Sequence, residues 1–201
     1  MKRINFFVAG TVVLLAGCAA MSSMPGDDPL ANGLTGDVSI ATGSDWMLMD
    51  GVLSSVRGEP MGFVYTNRSY SDFELNAEIY VEGQTNSGIF VRCESMPTIS
   101  PMVCYEFNIW DSHANPESKT GSIVTFAGPM AEVSTEDEWS DIRVRLVGNH
   151  LQMWVDGTAT ADIMDDTYAE GPIAFQYGGS NGLVKFRNIR IQDLSETAAE
   201  M

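Results

Sequence analysis

Hydrophobic and polar residues alternate with a period of two through most of the chain between Trp46 and Gln192. This alternation is typical of β-strands that turn one face to a core and the other to solvent or a ligand. Turn dipeptides such as Gly148-Asn149 and Asp156-Gly157 separate the runs, and no long segment has helical periodicity. The pattern predicts strands at 46–49, 51–55, 62–65, 73–81, 88–93, 103–110, 121–126, 139–147, 150–155, 158–163, 171–177 and 182–192. Many short strands separated by turns predict an all-β sandwich.

Two neighbouring runs, 88–93 and 103–110, are predicted to pair as one hairpin. One face of this hairpin is predicted to carry a guanidinium, a carboxylate, a carboxamide and an indole, from Arg92, Glu106, Asn108 and Trp110. Proteins bind hydroxylated ligands such as sugars with polar groups for the hydroxyls and an aromatic ring for the apolar side of the sugar. We therefore expect the functional site on this hairpin.

Residues 1–17 have the features of an export signal. Lys2 and Arg3 give a basic start, an apolar run covers 6–16, and Leu15-Ala16-Gly17-Cys18 ends it. The apolar run is short for a membrane span and has the flanks of a signal peptide. The ending resembles a bacterial lipobox, which predicts cleavage before Cys18 and acylation of that cysteine. The alternative is an ordinary signal peptide cleaved nearby, for example at Ala20.

The residue after Cys18 is Ala19 and not Asp, which by analogy with Gram-negative lipoproteins predicts sorting to the outer membrane. The expected location is therefore the cell envelope, with the protein lipid-anchored and facing the periplasm. Residues 18–37 are small, polar and rich in Pro and Gly, which predicts a flexible tether. We expect one domain over 38–194 and a frayed tail over 195–201.

The formal net charge of the chain is −16, and removal of 1–17 takes away two basic residues and no acidic one. A field this negative disfavours nucleic acid and anionic lipid surfaces as partners. We therefore expect no nucleic-acid partner and membrane contact only through the lipid anchor.

Two cysteines, Cys93 and Cys104, remain if Cys18 is acylated. In an oxidising compartment they are predicted to form a disulfide at the base of the hairpin loop. The alternation places the two cysteines on opposite faces of the hairpin, because Cys93 falls on the apolar face of its strand whereas Cys104 falls on the same face as Glu106. A β-bulge or a strand that ends early would reconcile the two phases. Two free, buried thiols are the alternative.

The chain resembles the 3-keto-disaccharide hydrolase (DUF1080) domain, also described as 3-keto-glucoside 1,2-lyase / 3-keto-2-hydroxy-glucal hydratase. The residues that carry the resemblance occur in the order of that family and are Trp46, Asp50-Gly51-Val52-Leu53, Tyr70-Ser71-Asp72-Phe73-Glu74-Leu75, Asn86-Ser87-Gly88-Ile89, Arg92, Tyr105-Glu106, Ile109, Asp111, Gly121, Glu138-Trp139, Asp156-Gly157, Gly171-Pro172-Ile173, Gln176 and Phe186-Arg187-Asn188-Ile189-Arg190-Ile191. The resemblance implies a concanavalin A-like jelly roll, a β-sandwich of two curved antiparallel sheets with ligand on the concave face. Cys104, Asn108 and Val124 depart from the family pattern, which has Gly, Gln and an aromatic there.

The resemblance implies cleavage of a glycoside that carries a 3-keto group. The ketone acidifies the hydrogen at C2, a base removes it, the enolate expels the C1 substituent, and water adds to the resulting glycal. Glu106 is the predicted base and Arg92 the predicted enolate stabiliser, the alternative being a cross-strand ion pair. Asn86, Asn108 and Gln176 are predicted to orient sugar hydroxyls, and Trp110 to stack on the ring.

No cofactor is predicted with certainty, but a divalent metal acting as Lewis acid is considered. Its candidate ligands are Asp111 and His113 together with Glu106. The alternatives are that Asp111 caps the turn at 111–116 and that His113 is a solvated loop residue. Two other functions stay open for the chain, namely a non-catalytic carbohydrate-binding module and a structural envelope lipoprotein. Carbohydrate is the expected partner in the first two cases.

Overall fold

A computed structural model describes residues 25–41, 43–94, 96–179 and 182–195. The chain forms twelve β-strands in this range, which are β1 (Val38–Ala41), β2 (Trp46–Met49), β3 (Val52–Ser55), β4 (Gly62–Thr66), β5 (Phe73–Val81), β6 (Ser87–Val91), β7 (Tyr105–Ile109), β8 (Trp139–Val147), β9 (His150–Val155), β10 (Thr158–Met164), β11 (Ala174–Tyr177) and β12 (Val184–Asp193). Short 3-10 helices lie at Gly33–Thr35 and Pro116–Ser118. None of the described helices is long and apolar enough to cross a membrane.

The strands form two antiparallel sheets. One sheet has five strands in the order β1-β4-β11-β6-β7, and the other has seven in the order β10-β9-β8-β5-β12-β3-β2. The predicted hairpin lies at one edge of the five-stranded sheet, with Phe90 opposite Glu106 and Gly88 opposite Asn108. The prediction of an all-β sandwich of two antiparallel sheets is confirmed.

The core lies between the sheets, where the alternating apolar residues of both sheets meet. Leu75 and Ile79 of β5 and Phe107 and Ile109 of β7 are fully buried there, as is Phe175 of β11. Each such side chain contributes roughly 1.5–3 kcal/mol by leaving water. The period-two pattern thus fixes which face of each strand turns inward and leaves the opposite face free for a site.

The strands predicted at 73–81, 139–147 and 150–155 have the observed bounds. The strand predicted at 121–126 is absent as a continuous strand, although Ile123 forms single bridges with Phe107 and Ala127. Gly121 and Thr125 have positive φ angles of 90° and 70°, which interrupt the extended backbone. The segment therefore lies along β7 without extending the sheet regularly.

Part of the predicted tether is packed on the sandwich. Asp27 forms two backbone hydrogen bonds with Ile191 of β12, both of 2.9 Å. Leu30 is buried in the core, and Arg190 lies 3.0 Å from the carboxylate of Asp28. These contacts outweigh the flexibility expected from the Pro and Gly content, so the domain begins near Asp27. The predicted signal peptide 1–17, Cys18 and most of the tail 195–201 lie outside the described residues.

Candidate functional site

The outer face of the five-stranded sheet, which is the face turned away from the other sheet, carries two cross-strand rows of side chains. The first row is Ala41, Phe63, Gln176, Gly88 and Asn108, and the second is Ser39, Tyr65, Ala174, Phe90 and Glu106. Each row crosses all five strands in hydrogen-bonding register. The polar residues Gln176 of β11 and Asn108 and Glu106 of β7 therefore flank the intervening strand β6 on this face.

Gly88 forms the floor between these polar side chains. A Cβ added at Gly88 would lie 3.2 Å from Oε1 of Gln176 and 3.4 Å from Oε1 of Glu106. Both oxygens thus face the space that a larger residue at this position would fill. The absence of a side chain leaves a depression whose rim is formed by a carboxylate and a carboxamide.

Glu106 is almost completely buried on the outer face. Only 7% of its surface is exposed, Phe90 lies directly across the strand pair, and its carboxylate has no hydrogen-bond or ion-pair partner among the described residues. Burial raises the pKa of Glu106 to about 7 because water no longer stabilises the charged form. A carboxyl group that titrates near neutral pH is suited to take and return a proton.

The two carboxamides beside it each keep an oxygen without a partner. Gln176 donates from Nε2 to Sδ of Met61 at 3.6 Å, and Asn108 donates from Nδ2 to the carbonyl oxygen of Ser118. Oε1 of Gln176 and Oδ1 of Asn108 are buried and accept no hydrogen bond from the described residues. Buried polar atoms are nearly always paired, so a ligand that donates hydrogen bonds fits these positions.

Asn86 directly precedes β6 and Trp110 directly follows β7, so the two residues lie at the same end of the hairpin. The backbone of Asn86 is paired with Gly178 at 2.8 Å. Oδ1 of Asn86 and Nε1 of Trp110 are buried without a partner among the described residues. The Trp110 ring contacts His113 edge to face, with 4.6 Å between ring centroids. Three acceptors and one donor without partners therefore lie on, or directly beyond, the strands that form this face, and such groups suit hydroxyl recognition.

Arg92 is not part of this surface, so the prediction that it projects beside Glu106 is wrong. The residue is 2% exposed, and its side chain lies among loops at the end of the sandwich. The guanidinium donates to the carbonyl oxygens of Ser71 at 2.6 and 2.9 Å, Gly148 at 2.9 Å and Tyr168 at 3.2 Å. These contacts join three loops, which is a structural role.

The reason for the difference is the backbone at Arg92. Strand β6 ends at Val91, and Arg92 has a φ of 50°, in the left-handed region. This residue breaks the period-two alternation and turns its side chain towards the loop of Asp72, whose carboxylate lies 3.4 Å from the guanidinium. Neither the catalytic couple nor the alternative Arg92–Glu106 ion pair forms.

The same break reconciles the two cysteines. After Arg92 the phase shifts, so Cys93 falls on the outer face together with Cys104. The two residues form a disulfide with 4.3 Å between their Cα atoms. The predicted disulfide is confirmed, and the early end of the strand is what allows it.

The candidate metal ligands are not brought together. The carboxylate of Asp111 accepts hydrogen bonds from the Thr120, Ser134 and Thr135 side chains and from the backbone N–H groups of Thr135 and Glu136. Nδ1 of His113 lies 3.0 Å from both the N and the O atoms of Asn115. Across the described ranges, no three His, Cys, Asp or Glu side chains cluster as metal ligands would. Asp111 therefore secures the 134–136 loop rather than a turn at 111–116.

Sequence reasoning missed the apolar half of the site. Phe63 and Phe90 pack edge to face with 5.3 Å between ring centroids and line the outer face next to Glu106. The alternation of their strands places both residues on this face, but only the register shows that they meet. A cleft of about 670 Å³ opens beyond β7, near Asn108, and its walls include Asp111, Lys119, Thr120, Met130 and Val133.

Solved structures with the same architecture include carbohydrate-active and carbohydrate-binding proteins. A protein named as a glycosyl hydrolase from Parabacteroides distasonis ATCC 8503 matches with a TM-score of 0.65 and 24% identity, over 74% of this chain and 90% of that one. The carbohydrate-binding module CBM66 from Bacillus subtilis matches with a TM-score of 0.58 and 15% identity, over 78% and 96% of the two chains. The VIP36 exoplasmic/lumenal domain, in its Ca²⁺/Man3GlcNAc-bound form, matches with a TM-score of 0.56 and 9% identity, over 78% and 85%.

These likenesses establish a concanavalin A-like sandwich, as the resemblance implied. No curated protein matches the chain at a significant level. The family described as the 3-keto-alpha-glucoside-1,2-lyase-like domain matches residues 27–192, which include both rows of the outer face. The match begins at Asp27, where the chain first pairs with β12. The chain therefore belongs to the 3-keto-alpha-glucoside-1,2-lyase-like domain family.

Proposed function

We propose that this protein cleaves glycosides that carry a 3-keto group, with Glu106 as the base. The observation that carries the proposal is the buried, unpartnered carboxyl of Glu106 beside the floor at Gly88, with a pKa raised to about 7. Membership of the family supports the same reaction class. A carboxyl buried without a cation or donor weakens the fold, and carboxyls perturbed in this way are characteristic of catalytic sites.

In the proposed reaction Glu106 takes the proton from C2 while the electron pair moves towards the C3 carbonyl oxygen. The enolate then expels the C1 oxygen with its bonding pair, and the leaving group takes a proton from water. Hydration reverses this pattern, because the hydroxide left by that proton transfer adds to C1 and Glu106 returns its proton to C2. The net change is hydrolysis, and Glu106 ends in its starting state.

The enolate oxygen needs a hydrogen-bond donor, and Arg92 cannot supply one from its loop site. The unpartnered Nε1–H of Trp110, directly beyond β7, is the donor that would supply it, whereas the amide N–H groups of Gln176 and Asn108 already donate to Met61 and Ser118. Unpartnered acceptors on Asn86, Asn108 and Gln176 would receive the sugar hydroxyls.

A second function, non-catalytic carbohydrate binding, is favoured by one observation. The unpartnered acceptors suit hydroxyl recognition whether or not a reaction follows, and the CBM66 likeness shows that this fold serves as a binding module. A structural lipoprotein that binds a protein partner would leave those atoms unexplained.

We also propose that the protein is an outer-membrane lipoprotein facing the periplasm, anchored through Cys18. The lipobox-like Leu15-Ala16-Gly17-Cys18 and the following Ala19 support this location. Membrane fractionation and mass spectrometry of the N-terminal peptide test it. Replacement of Cys18 by Ser should release the protein from the membrane fraction, and unchanged membrane retention would refute the anchor.

The reaction is tested by following aglycone release from a panel of 3-keto-glycosides, with and without a chelator. The Glu106→Gln variant should lose activity by about 10²–10⁴-fold. The matched control is Glu94→Gln, because Glu94 is exposed and the charge change is the same. Equal rates for Glu106→Gln and wild type would refute Glu106 as the base. Saturable glycan binding without release from any substrate would establish the binding module instead.

A further inference from the structure

We propose that the Cys93–Cys104 disulfide is a positioning element of the Glu106 site, because it holds loop 94–103 against the apolar cluster that adjoins this carboxyl. The inference rests on the proposed role of Glu106 as the base and adds a redox condition to it. Reduction of the disulfide would loosen the loop, hydrate the carboxyl and weaken the base.

The disulfide is adjacent to Glu106 on the outer face. Cys104 precedes Glu106 by two residues, so both side chains lie on the same side of the edge strand. Cys104 is fully buried and Cys93 is 3% exposed. The bridge therefore forms part of the wall beside the carboxyl.

The same wall continues through an apolar cluster on the outer face. The buried cluster comprises Ala41, Phe63, Phe90, Cys93, Ile99, Cys104 and Ala174, with Tyr65, Met96 and Val103 packed against it. Phe90 is the cross-strand neighbour of Glu106, and Phe63 packs on Phe90. Ile99 of the loop is 9% exposed, so the loop covers this cluster.

Loop 94–103 is attached to the sheet by few bonds. Its backbone hydrogen bonds join Glu94 to Val103 at 3.0 Å and Val103 to Ser100 at 3.1 Å, both within the loop. Among the described residues, no hydrogen bond joins this loop to the rest of the five-stranded sheet. The disulfide and the contacts of Met96, Ile99 and Val103 therefore hold it in place.

The other elements packed near Glu106 offer little charge that could replace this effect. Strand β6 presents Gly88 and Phe90, and β11 presents Ala174 and Gln176. The titratable groups on the remaining elements are Tyr65 of β4, the exposed Glu94 of the loop, and Glu117 and Lys119 of the segment that runs along β7. Desolvation is the cause that raises the pKa of Glu106, so entry of water beside the carboxyl would lower this pKa.

The proposal is tested by titrating Glu106 directly, with ¹³C-glutamate labelling and assignment of its carboxyl signal by loss in the Glu106→Gln protein. In the oxidised protein the midpoint should lie near 7. In protein reduced with a phosphine, and in the Cys93→Ser/Cys104→Ser variant, we expect the midpoint to fall by at least one pH unit towards 4.5. An unchanged midpoint in protein whose two thiols titrate as free would overturn the proposal.

A second variant keeps the test independent of disulfide loss. Ile99→Ser in the oxidised protein should lower the midpoint in the same direction, because it opens the cover over Phe63 and Phe90. Met102→Ser is the matched control, since Met102 is on the same loop but 74% exposed. A midpoint shift with Met102→Ser equal to that with Ile99→Ser would also overturn the proposal. Far-ultraviolet circular dichroism establishes that each variant is folded at the temperature of the titration.

The proposed function can fail separately from this inference. If the midpoint falls on reduction but the protein cleaves no 3-keto-glycoside, the proposed reaction is wrong and the positioning role stands. If the protein is active and the acid limb of its pH profile of kcat/KM is the same in the oxidised and the reduced protein, the proposed reaction stands and the positioning role is wrong.

Discussion

Phe90 and Glu106 are direct cross-strand neighbours on the outer face of the five-stranded sheet. The aromatic ring therefore takes the place that a solvent shell or a cationic partner would take beside an ordinary glutamate. The carboxyl loses stabilisation of its charge, and its pKa rises to about 7. This single pairing links the apolar part of the site to its acid–base property.

The first prediction concerns stability and pH. The folded pKa of Glu106, about 7, exceeds the ordinary 4.5, so its contribution to stability is present below 4.5 and is lost as pH rises through about 7. Glutamine carries no charge at any pH, so Glu106→Gln removes the cost of burying the charged carboxylate. The free energy of unfolding of the variant at pH 8 should exceed that of wild type by about 2–3 kcal/mol. Urea unfolding at pH 4 and pH 8 measures the difference. Glu94→Gln, which makes the same charge change at an exposed position, serves as the matched control.

The site was predictable from the sequence wherever the strand alternation continued unbroken. Glu106, Asn108 and Gln176 fall on one face because their strands keep period two and pair in register. Arg92 follows the same alternation in the sequence but leaves the strand with a φ of 50°. An arginine with a positive φ is uncommon, and no residue pattern around Arg92 predicts the turn.

The remaining differences come from long-range packing. Strand β1 was missed because its four residues, Val38–Ala41, gain their pairing only from β4. Residues from Asp27 onward resemble a linker in composition, yet Leu30 and the Asp28–Arg190 pair attach them to the sandwich. Composition describes the local preference of a segment but not the surface that a distant strand offers to it.

A second prediction concerns the floor of the site. Gly88→Ala places a methyl group 3.2–3.4 Å from the oxygens of Gln176 and Glu106, and these flexible side chains can move by a few tenths of an ångström. We expect substrate binding or kcat/KM to fall by about tenfold or more, while the unfolding free energy changes by less than about 1 kcal/mol. Unaltered kcat/KM with a folded protein would show that ligand does not approach Gly88.

A third prediction separates Arg92 from catalysis. Arg92→Met leaves the carbonyl oxygens of Ser71, Gly148 and Tyr168 without their donor and should lower the unfolding free energy by about 3–5 kcal/mol. The folded fraction should keep its kcat, because the guanidinium does not border the outer face. Arg68→Met, at an exposed ion pair with Asp193, is the matched control and should cost less than about 1 kcal/mol. Loss of kcat in fully folded Arg92→Met would contradict the structural assignment.

A fourth prediction, which depends on the proposed function, concerns substrate charge. In the described part of the chain, the side chains that border Gly88 include the carboxyl of Glu106 and no cation. A 3-keto-glycoside bearing a carboxylate, such as a uronide, should therefore have a kcat/KM about tenfold or more below that of the neutral sugar at pH 8. Binding to Glu106→Gln, measured by calorimetry, should show a smaller difference between the two sugars. Equal binding of both sugars by wild type would contradict this expectation.

The pairing of Asp27 with Ile191 would also limit the distance between the sandwich and a membrane to which Cys18 attached it. If Cys18 carries the proposed lipid, the chain from Cys18 to Asp27 spans at most about 30 Å when fully drawn out. A tether that continued to Asp37 would span about 65 Å. The two hydrogen bonds of Asp27 would therefore halve the reach of a domain anchored in this way. The outer face would meet glycans in a shallow layer next to the bilayer, and substrates held deeper in the periplasm would have to diffuse to it.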